Sequence, residues 1–160
     1  PVLFVNVGKN RDTPNEKASE DYGQAIQELC DFGDVFVVNI SSPNTKTLRE
    51  LLEPKNLSLF LSGLFATVKT KKPILLKLSP DISTAELSTV LEVALSNGIS
   101  GFILTNTLLN QKDIFPNHEG GGVSGVPLKE RSLALLRSAR ETLNRLGSDA
   151  LLVSVGGVMS

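Results

Sequence analysis

Asn6, Asn39 and Asn106 each stand at the end of a short apolar run, and Lys77 closes another, Pro73-Ile74-Leu75-Leu76. A lone asparagine in that place ordinarily serves a turn, because its side chain bonds nearby backbone. Three of them on separate runs carry a different meaning if the runs are neighbouring strands, since each amide holds both a donor and an acceptor. A ring of such groups suits a planar ligand whose edge alternates N–H and C=O, as pyrimidines and flavins do. Lys77 leaves three readings. It snorkels to water over its apolar stem, forms a Schiff base with a carbonyl substrate, or holds positive charge beside an anion developing on a reduced cofactor.

The neighbouring residues add to the same set. Asn39 is followed by Ser41-Ser42-Pro43-Asn44-Thr45, and Asn106 is flanked by Thr105 and Thr107. Gly156-Gly157 closes a fifth apolar run, where small residues let backbone N–H groups approach a phosphate with help from a following helix N-terminus. Gly120-Gly121-Gly122-Val123-Ser124-Gly125 falls in the stretch 108–126, which has neither helical nor strand period. A loop that long within a compact domain is usually functional or disordered. His118 lies in it and reads as a solvated side chain, whereas Cys30 reads as a small core residue on a helix rather than a reactive thiol.

These side chains need elements to gather them. Apolar runs rich in valine, isoleucine and leucine occupy 2–7, 35–40, 74–78, 101–105 and 151–155, none with strict polar alternation, which is the signature of buried parallel strands. Stretches of helical period lie between them. Tyr22, Ala25, Ile26, Leu29 and Cys30 form one apolar stripe, and Leu57, Phe60, Leu61, Leu64, Phe65 and Val68 form a second. Ser83 with Glu86 makes a capping box ahead of the stripe Leu87, Val90, Leu91, Ala94 and Leu95, and Gly98 supplies a left-handed stop. A fourth helix starts near Pro127 and ends before Gly147, with Leu133, Leu136, Ala139, Leu143 and Leu146 facing inward.

Alternating β and α elements imply right-handed crossovers and a parallel sheet. A doubly wound sheet would carry a glycine-rich fingerprint after its first strand, and Asn6-Val7-Gly8-Lys9-Asn10 is not one. A β/α barrel instead places its chemistry at the carboxyl ends of successive strands, where the polar residues are concentrated here. The expected fold is therefore α/β, a partial (β/α)8 TIM barrel. A whole barrel takes about 250 residues, so residues 1–160 are read as the central strands of one domain, incomplete at both ends.

Composition narrows the function classes. Sixteen basic and seventeen acidic residues leave a net charge of -1, which argues against nucleic acid as a partner. A single cysteine excludes an intrachain disulfide, and with a single histidine there is no zinc constellation of the usual kind. No apolar run approaches the roughly 18 residues of a membrane span.

Asn39-Ile40-Ser41-Ser42-Pro43-Asn44-Thr45 resembles the active-site loop of dihydroorotate dehydrogenases. The resemblance extends along nearly the whole chain, through Asn6-Val7-Gly8-Lys9-Asn10, Glu20-Asp21-Tyr22, Lys77-Leu78-Ser79-Pro80-Asp81, Thr105-Asn106-Thr107, Gly121-Gly122-Val123-Ser124-Gly125 with Pro127-Leu128, and Val155-Gly156-Gly157-Val158. The family's base position falls on Ser42. Cysteine stands there in the soluble class 1 members and serine in the quinone-linked, membrane-associated class 2, so the resemblance points to class 2. It implies FMN bound by Asn6, Asn39, Lys77, Thr105, Gly125 and Gly157, and dihydroorotate held by Asn39, Asn44, Asn106 and Thr107. It further implies that Ser42 takes a proton from substrate, and that Lys77 acts electrostatically rather than as a Schiff base.

The implied activity is oxidation of dihydroorotate to orotate with FMN as hydride acceptor and a quinone as final acceptor, in pyrimidine biosynthesis. The implied location is peripheral, on the cytoplasmic face of a bacterial inner membrane or at the mitochondrial inner membrane, through a segment absent from this chain. Family parts outside the chain include a lysine that contacts FMN and substrate, the last βα unit and the helices of the quinone tunnel, so the chain alone is expected to be inactive. Other readings are a related FMN enzyme acting on another reduced pyrimidine, a barrel lyase or aldolase using Lys77 covalently, and a non-catalytic phosphate-binding barrel.

Overall fold

The computed structural model describes residues 1–41, 46–109 and 121–159. Five strands form one parallel sheet: β1 (Phe4–Val7), β2 (Val35–Asn39), β3 (Ile74–Leu78), β4 (Gly101–Leu104) and β5 (Leu151–Ser154). Their spatial order is their chain order, β1-β2-β3-β4-β5. Four helices make the crossovers: α1 (Ala18–Glu28), α2 (Pro54–Thr67), α3 (Thr84–Ser96) and α4 (Lys129–Arg145). A doubly wound sheet reverses its strand order at a switch point. No reversal occurs among the described strands, and this is the topology of consecutive barrel units in a sheet that is not closed.

The two faces of the sheet are chemically distinct. Phe36, Val38, Ile74, Leu76, Leu78, Phe102 and Leu104 pack with the helix stripes in the main core. The alternate residues Val35, Val37, Leu75 and Ile103, with Val153, form a second, smaller cluster on the other face. Strand side chains alternate between faces. Burial on both sides explains why β2 reads Val-Phe-Val-Val without polar interruption. The outer strands differ: Phe4 on β1 is 40% exposed and Leu151 on β5 is 47% exposed.

The helix signals hold in detail at α3. The Ser83 hydroxyl accepts from the Glu86 backbone N–H at 3.2 Å, and the Glu86 carboxylate accepts from the Ser83 N–H at 2.9 Å. The helix ends before Gly98, whose φ is +98°.

Three readings need correction. Helix α1 stops at Glu28, so Leu29 is its C-cap and Cys30 lies in the turn beyond, packed against the core from outside the helix. The buried residues of α4 are Ser132, Leu135, Ala139, Thr142 and Leu143, and Leu136 packs against the core beside them as expected, while Leu146, also expected inside, is 41% exposed. Periodicity of apolar residues found Ala139 and Leu143 but missed Ser132 and Thr142, which carry hydroxyls, and the Ser132 hydroxyl donates to the Val155 carbonyl at 3.3 Å. The stretch 108–126 is not wholly irregular, for Leu108 and Val123 form an antiparallel bridge with two N–H···O bonds of 2.9 Å.

Candidate active site at the carboxyl ends of the strands

The site begins with a phenol. Tyr22 is fully buried on α1, edge-on to Phe60 with ring centroids 5.3 Å apart, and its hydroxyl donates to the Asn39 carbonyl at 2.8 Å. Burial pushes its ionisation well above the usual tyrosine range, so the group stays a neutral donor. A helix thereby fixes the last residue of β2 from the core side.

On the other side of the same residue the amide takes part in a directional chain of hydrogen bonds. Asn106 Nδ2 donates to the Ser41 hydroxyl at 3.0 Å, and that hydroxyl donates to Asn39 Oδ1 at 2.9 Å. Asn106 Nδ2 also donates to the Ser41 carbonyl at 3.0 Å, and Asn106 Oδ1 accepts from the Thr107 N–H at 2.8 Å. The acceptor of Asn39 is thus occupied, while its Nδ2 donates to no described residue. Two asparagines from different strand ends are locked together, with amide N–H groups left for a ligand.

Lys77 is the register partner of Asn39 on the adjacent strand. Neighbouring strands lie about 4.8 Å apart, so the two side chains stand next to each other. Alternation puts both on the face of Val37 and Leu75, away from the helices. Lys77 is half-buried and makes no hydrogen bond or ion pair among the described residues. Asn6 pairs with Val37, one step below Asn39 on that face, and is exposed.

Thr105 follows β4 and is 2% exposed, and its hydroxyl has no hydrogen-bond partner. A buried hydroxyl without a partner is costly. It lies beside the glycine loop, for a Cβ on Gly156 would come 3.7 Å from it. Gly156 and Gly157 have φ of +100° and +69°, and Gly125 has φ of +68°. A Cβ on Gly157 would sit 2.6 Å from the Lys129 backbone N and 2.8 Å from the Gly125 carbonyl oxygen. Only glycine lets this loop lie against the first residue of α4, where backbone N–H groups favour an anion. Gly122 is packed on Thr107 in the same way, since a Cβ there would collide with the Thr107 hydroxyl.

The structure therefore brings Asn39, Lys77, Thr105, Asn106, Thr107, Gly125 and Gly157 to one end of the sheet. Ser42, Asn44 and His118 lie outside the described residues. Reading the sequence missed the Tyr22 hydroxyl, whose position on an apolar stripe gave no polar signal, and the bridging role of Ser41. A cavity of about 560 Å³ opens beside the rim, lined among others by Ser41, Ser79, Asp81, Leu52, Ile82 and Val90. It shares Ser41 with the amide bridge, but neither Lys77 nor Asn106 lines it. No helix among the described residues is long and apolar enough to cross a membrane.

A family profile described as dihydroorotate dehydrogenase matches residues 1–160. The dihydroorotate dehydrogenase (quinone) of a Thermus thermophilus strain is 46% identical over 161 residues, covering 98% of this chain and 44% of the relative. The enzyme of the same description from Myxococcus xanthus is 41% identical, covering 99% and 44%. The chain thus spans less than half the length of these curated relatives. A crystal structure of DHODH from Eimeria tenella in complex with ferulenol superposes with a TM-score of 0.84 at 29% identity, covering 99% of this chain and 47% of that one.

Proposed function

The chain belongs to the dihydroorotate dehydrogenase family, and on that premise we propose that the protein oxidises dihydroorotate to orotate with FMN and passes the electrons to a quinone. The observation that carries this reading is the convergence of the Asn39–Ser41–Asn106 bridge and Lys77 on one rim of the sheet. Relatives described as quinone-linked support the final acceptor. A quinone acceptor makes a membrane surface the place of work, and we infer peripheral attachment rather than a span.

The residues present fit FMN. The unpartnered Thr105 hydroxyl is a buried polar group suited to a ligand atom, and at the start of α4 the glycine loop lies so close to the Lys129 backbone that a Cβ on Gly157 would collide with it. Asn6, Asn39, Lys77 and Thr105 would hold the flavin ring system, and Gly125 and Gly157 its phosphate. When bound, FMN supplies a two-electron hydride acceptor.

The remaining work falls to this chain. Oxidation removes a proton and a hydride from adjacent ring carbons and leaves the double bond of orotate. Ser42 takes the proton, which requires placement within hydrogen-bond reach and a path that carries the proton away. Asn39, Asn44, Asn106 and Thr107 orient the ring through its alternating amide edge. Lys77 holds a fixed positive charge where negative charge develops, in a position prepared before the reaction.

Full-length protein loaded with FMN is expected to reduce its flavin with dihydroorotate and release orotate. Ser42→Ala is expected to lower the rate by about 10²- to 10⁴-fold with FMN retained. An unchanged rate in Ser42→Ala, or borohydride trapping of Lys77 with a carbonyl substrate, overturns the reading.

A further inference from the structure

Resting on this functional reading, we propose that Asp81 is a positioning residue: its carboxylate fixes the segments that follow β2, β3 and β4 relative to one another, and so sets where Lys77 and Asn106 stand. Asp81 lies in the loop between β3 and α3, with its side chain only 12% exposed. Among the described residues, one carboxylate oxygen, Oδ2, accepts from three directions. The Ser79 hydroxyl donates at 3.1 Å from the same loop, the Leu109 backbone N–H at 3.2 Å from the segment after β4, and the Arg49 guanidinium at 3.3 Å from the helical turn Lys46–Leu52 after β2.

The same loop is held from a fourth element through its backbone. Arg131 in the first turn of α4 donates from Nε to the Pro80 carbonyl at 2.8 Å and from its terminal nitrogen to the Ile82 carbonyl at 3.0 Å. The start of α4 is also where Gly157 and Gly125 meet. The loop after β3 therefore joins the amide side of the rim to its glycine side.

The ion pair is the lesser part of this arrangement. Arg49 is 59% exposed, and an exposed partner contributes little through charge alone. A largely buried carboxylate accepting from a backbone N–H is the more directional bond. Lys77 stands shortly before Asp81 in the chain, and Asn106 shortly before Leu109. Movement of the carboxylate is transmitted to both through a few residues of backbone, and misplacement of about 1 Å can cost 10²-fold in rate.

The test compares full-length, FMN-loaded protein with Asp81→Ala, Asp81→Asn and Arg49→Gln. Three readouts are used: the single-turnover rate of flavin reduction by dihydroorotate, the steady-state kcat and KM, and hydrogen exchange at the Leu109 amide. Asp81→Ala is expected to lower the reduction rate about 10- to 100-fold, to lower kcat with little change in KM, and to speed Leu109 exchange, all at unchanged FMN content. Asp81→Asn, which keeps the volume and one acceptor, recovers part of each effect and carries the test if the alanine variant fails to fold. Arg49→Gln changes the rate by less than about threefold, as expected of an exposed pair. Parent rates in Asp81→Ala and Asp81→Asn, or unaltered Leu109 exchange, overturn the proposal. If the parent protein itself fails to reduce flavin with dihydroorotate, the functional reading is what fails, and Leu109 exchange still decides whether Asp81 holds the loop.

Discussion

Asn106, beyond the end of β4, reaches over β3 to Ser41, beyond the end of β2, and its Nδ2 donates to both the carbonyl and the hydroxyl oxygen of that serine at 3.0 Å. The two residues are 65 apart in the chain. Removing the amide leaves two acceptors of Ser41 without this donor and unties the end of β4 from the end of β2, while Asn39 Oδ1 still accepts from the Ser41 hydroxyl and backbone N–H. Asn106→Ala is expected to lower the rate of flavin reduction by about 10²-fold with FMN still bound. Stopped-flow reduction and the flavin-to-protein ratio together check this.

Under the proposed function, Gly122 is expected to bear on substrate rather than cofactor, through its contact with Thr107. A methyl group there collides with the Thr107 hydroxyl, and the Leu108–Val123 bridge prevents the two segments from separating freely. Gly122→Ala is expected to raise KM for dihydroorotate roughly tenfold, equivalent to ~1.4 kcal/mol of binding, at unchanged flavin content. Steady-state kinetics decides it.

Gly157→Ala is expected to act on the other side of the rim. Its φ of +69° is unfavourable for alanine by about 1–2 kcal/mol, and its Cβ has no room against the Lys129 backbone. The purified variant should carry far less FMN than the parent, measured by the ratio of flavin to protein absorbance. Full occupancy would mean that the loop is not the phosphate cradle.

Tyr22→Phe removes one hydrogen bond at the base of the site and is expected to cost about 1 kcal/mol. The pH dependence gives a sharper signature. Burial raises the folded-state ionisation of Tyr22, so an unfolded chain releases this proton first, near pH 10. The stabilisation is complete below about pH 10 and declines as pH rises beyond it. Urea unfolding of the parent should weaken more steeply in that range than unfolding of Tyr22→Phe.

The capping box of α3 gives the opposite sign. Hydrogen bonds from the Ser83 hydroxyl and then its backbone N–H hold the Glu86 carboxyl below the usual range, against a small opposing effect of burial. Its contribution is present above the unfolded value of about pH 4.3 and is lost as pH falls through the lower folded value. Glu86→Ala should be less stable than the parent at neutral pH, and the gap in denaturation midpoint should narrow below about pH 4.

The strands and α3 were legible from sequence because their signals are local: an unbroken apolar run buried on both faces, and a serine three residues before a glutamate. The asparagines were legible as a set because each closes a run, although Asn6 lies inside β1 rather than at its end. What escaped was polar chemistry within apolar patterns. Ser132 faces inward because the Val155 carbonyl just beyond β5 is there to accept from it, and Tyr22 counts as an apolar stripe residue until its hydroxyl meets the end of β2. The gathering of Ser79, Arg49 and Leu109 on Asp81 depends on loop geometry that no periodicity encodes.

Because every described strand pairs only with its neighbours in sequence, the ladder is indifferent to what the rims do. The rims are nonetheless unequal. Between helix end and next strand the chain turns tightly, as from Ser96 to Gly101 and from Arg145 to Leu151, whereas among the described residues the first helical turn after β4, which ends at Leu104, begins at Val126. The architecture thus divides its labour by direction: loops at the carboxyl ends can carry the chemistry, while the short turns at the opposite end keep the frame.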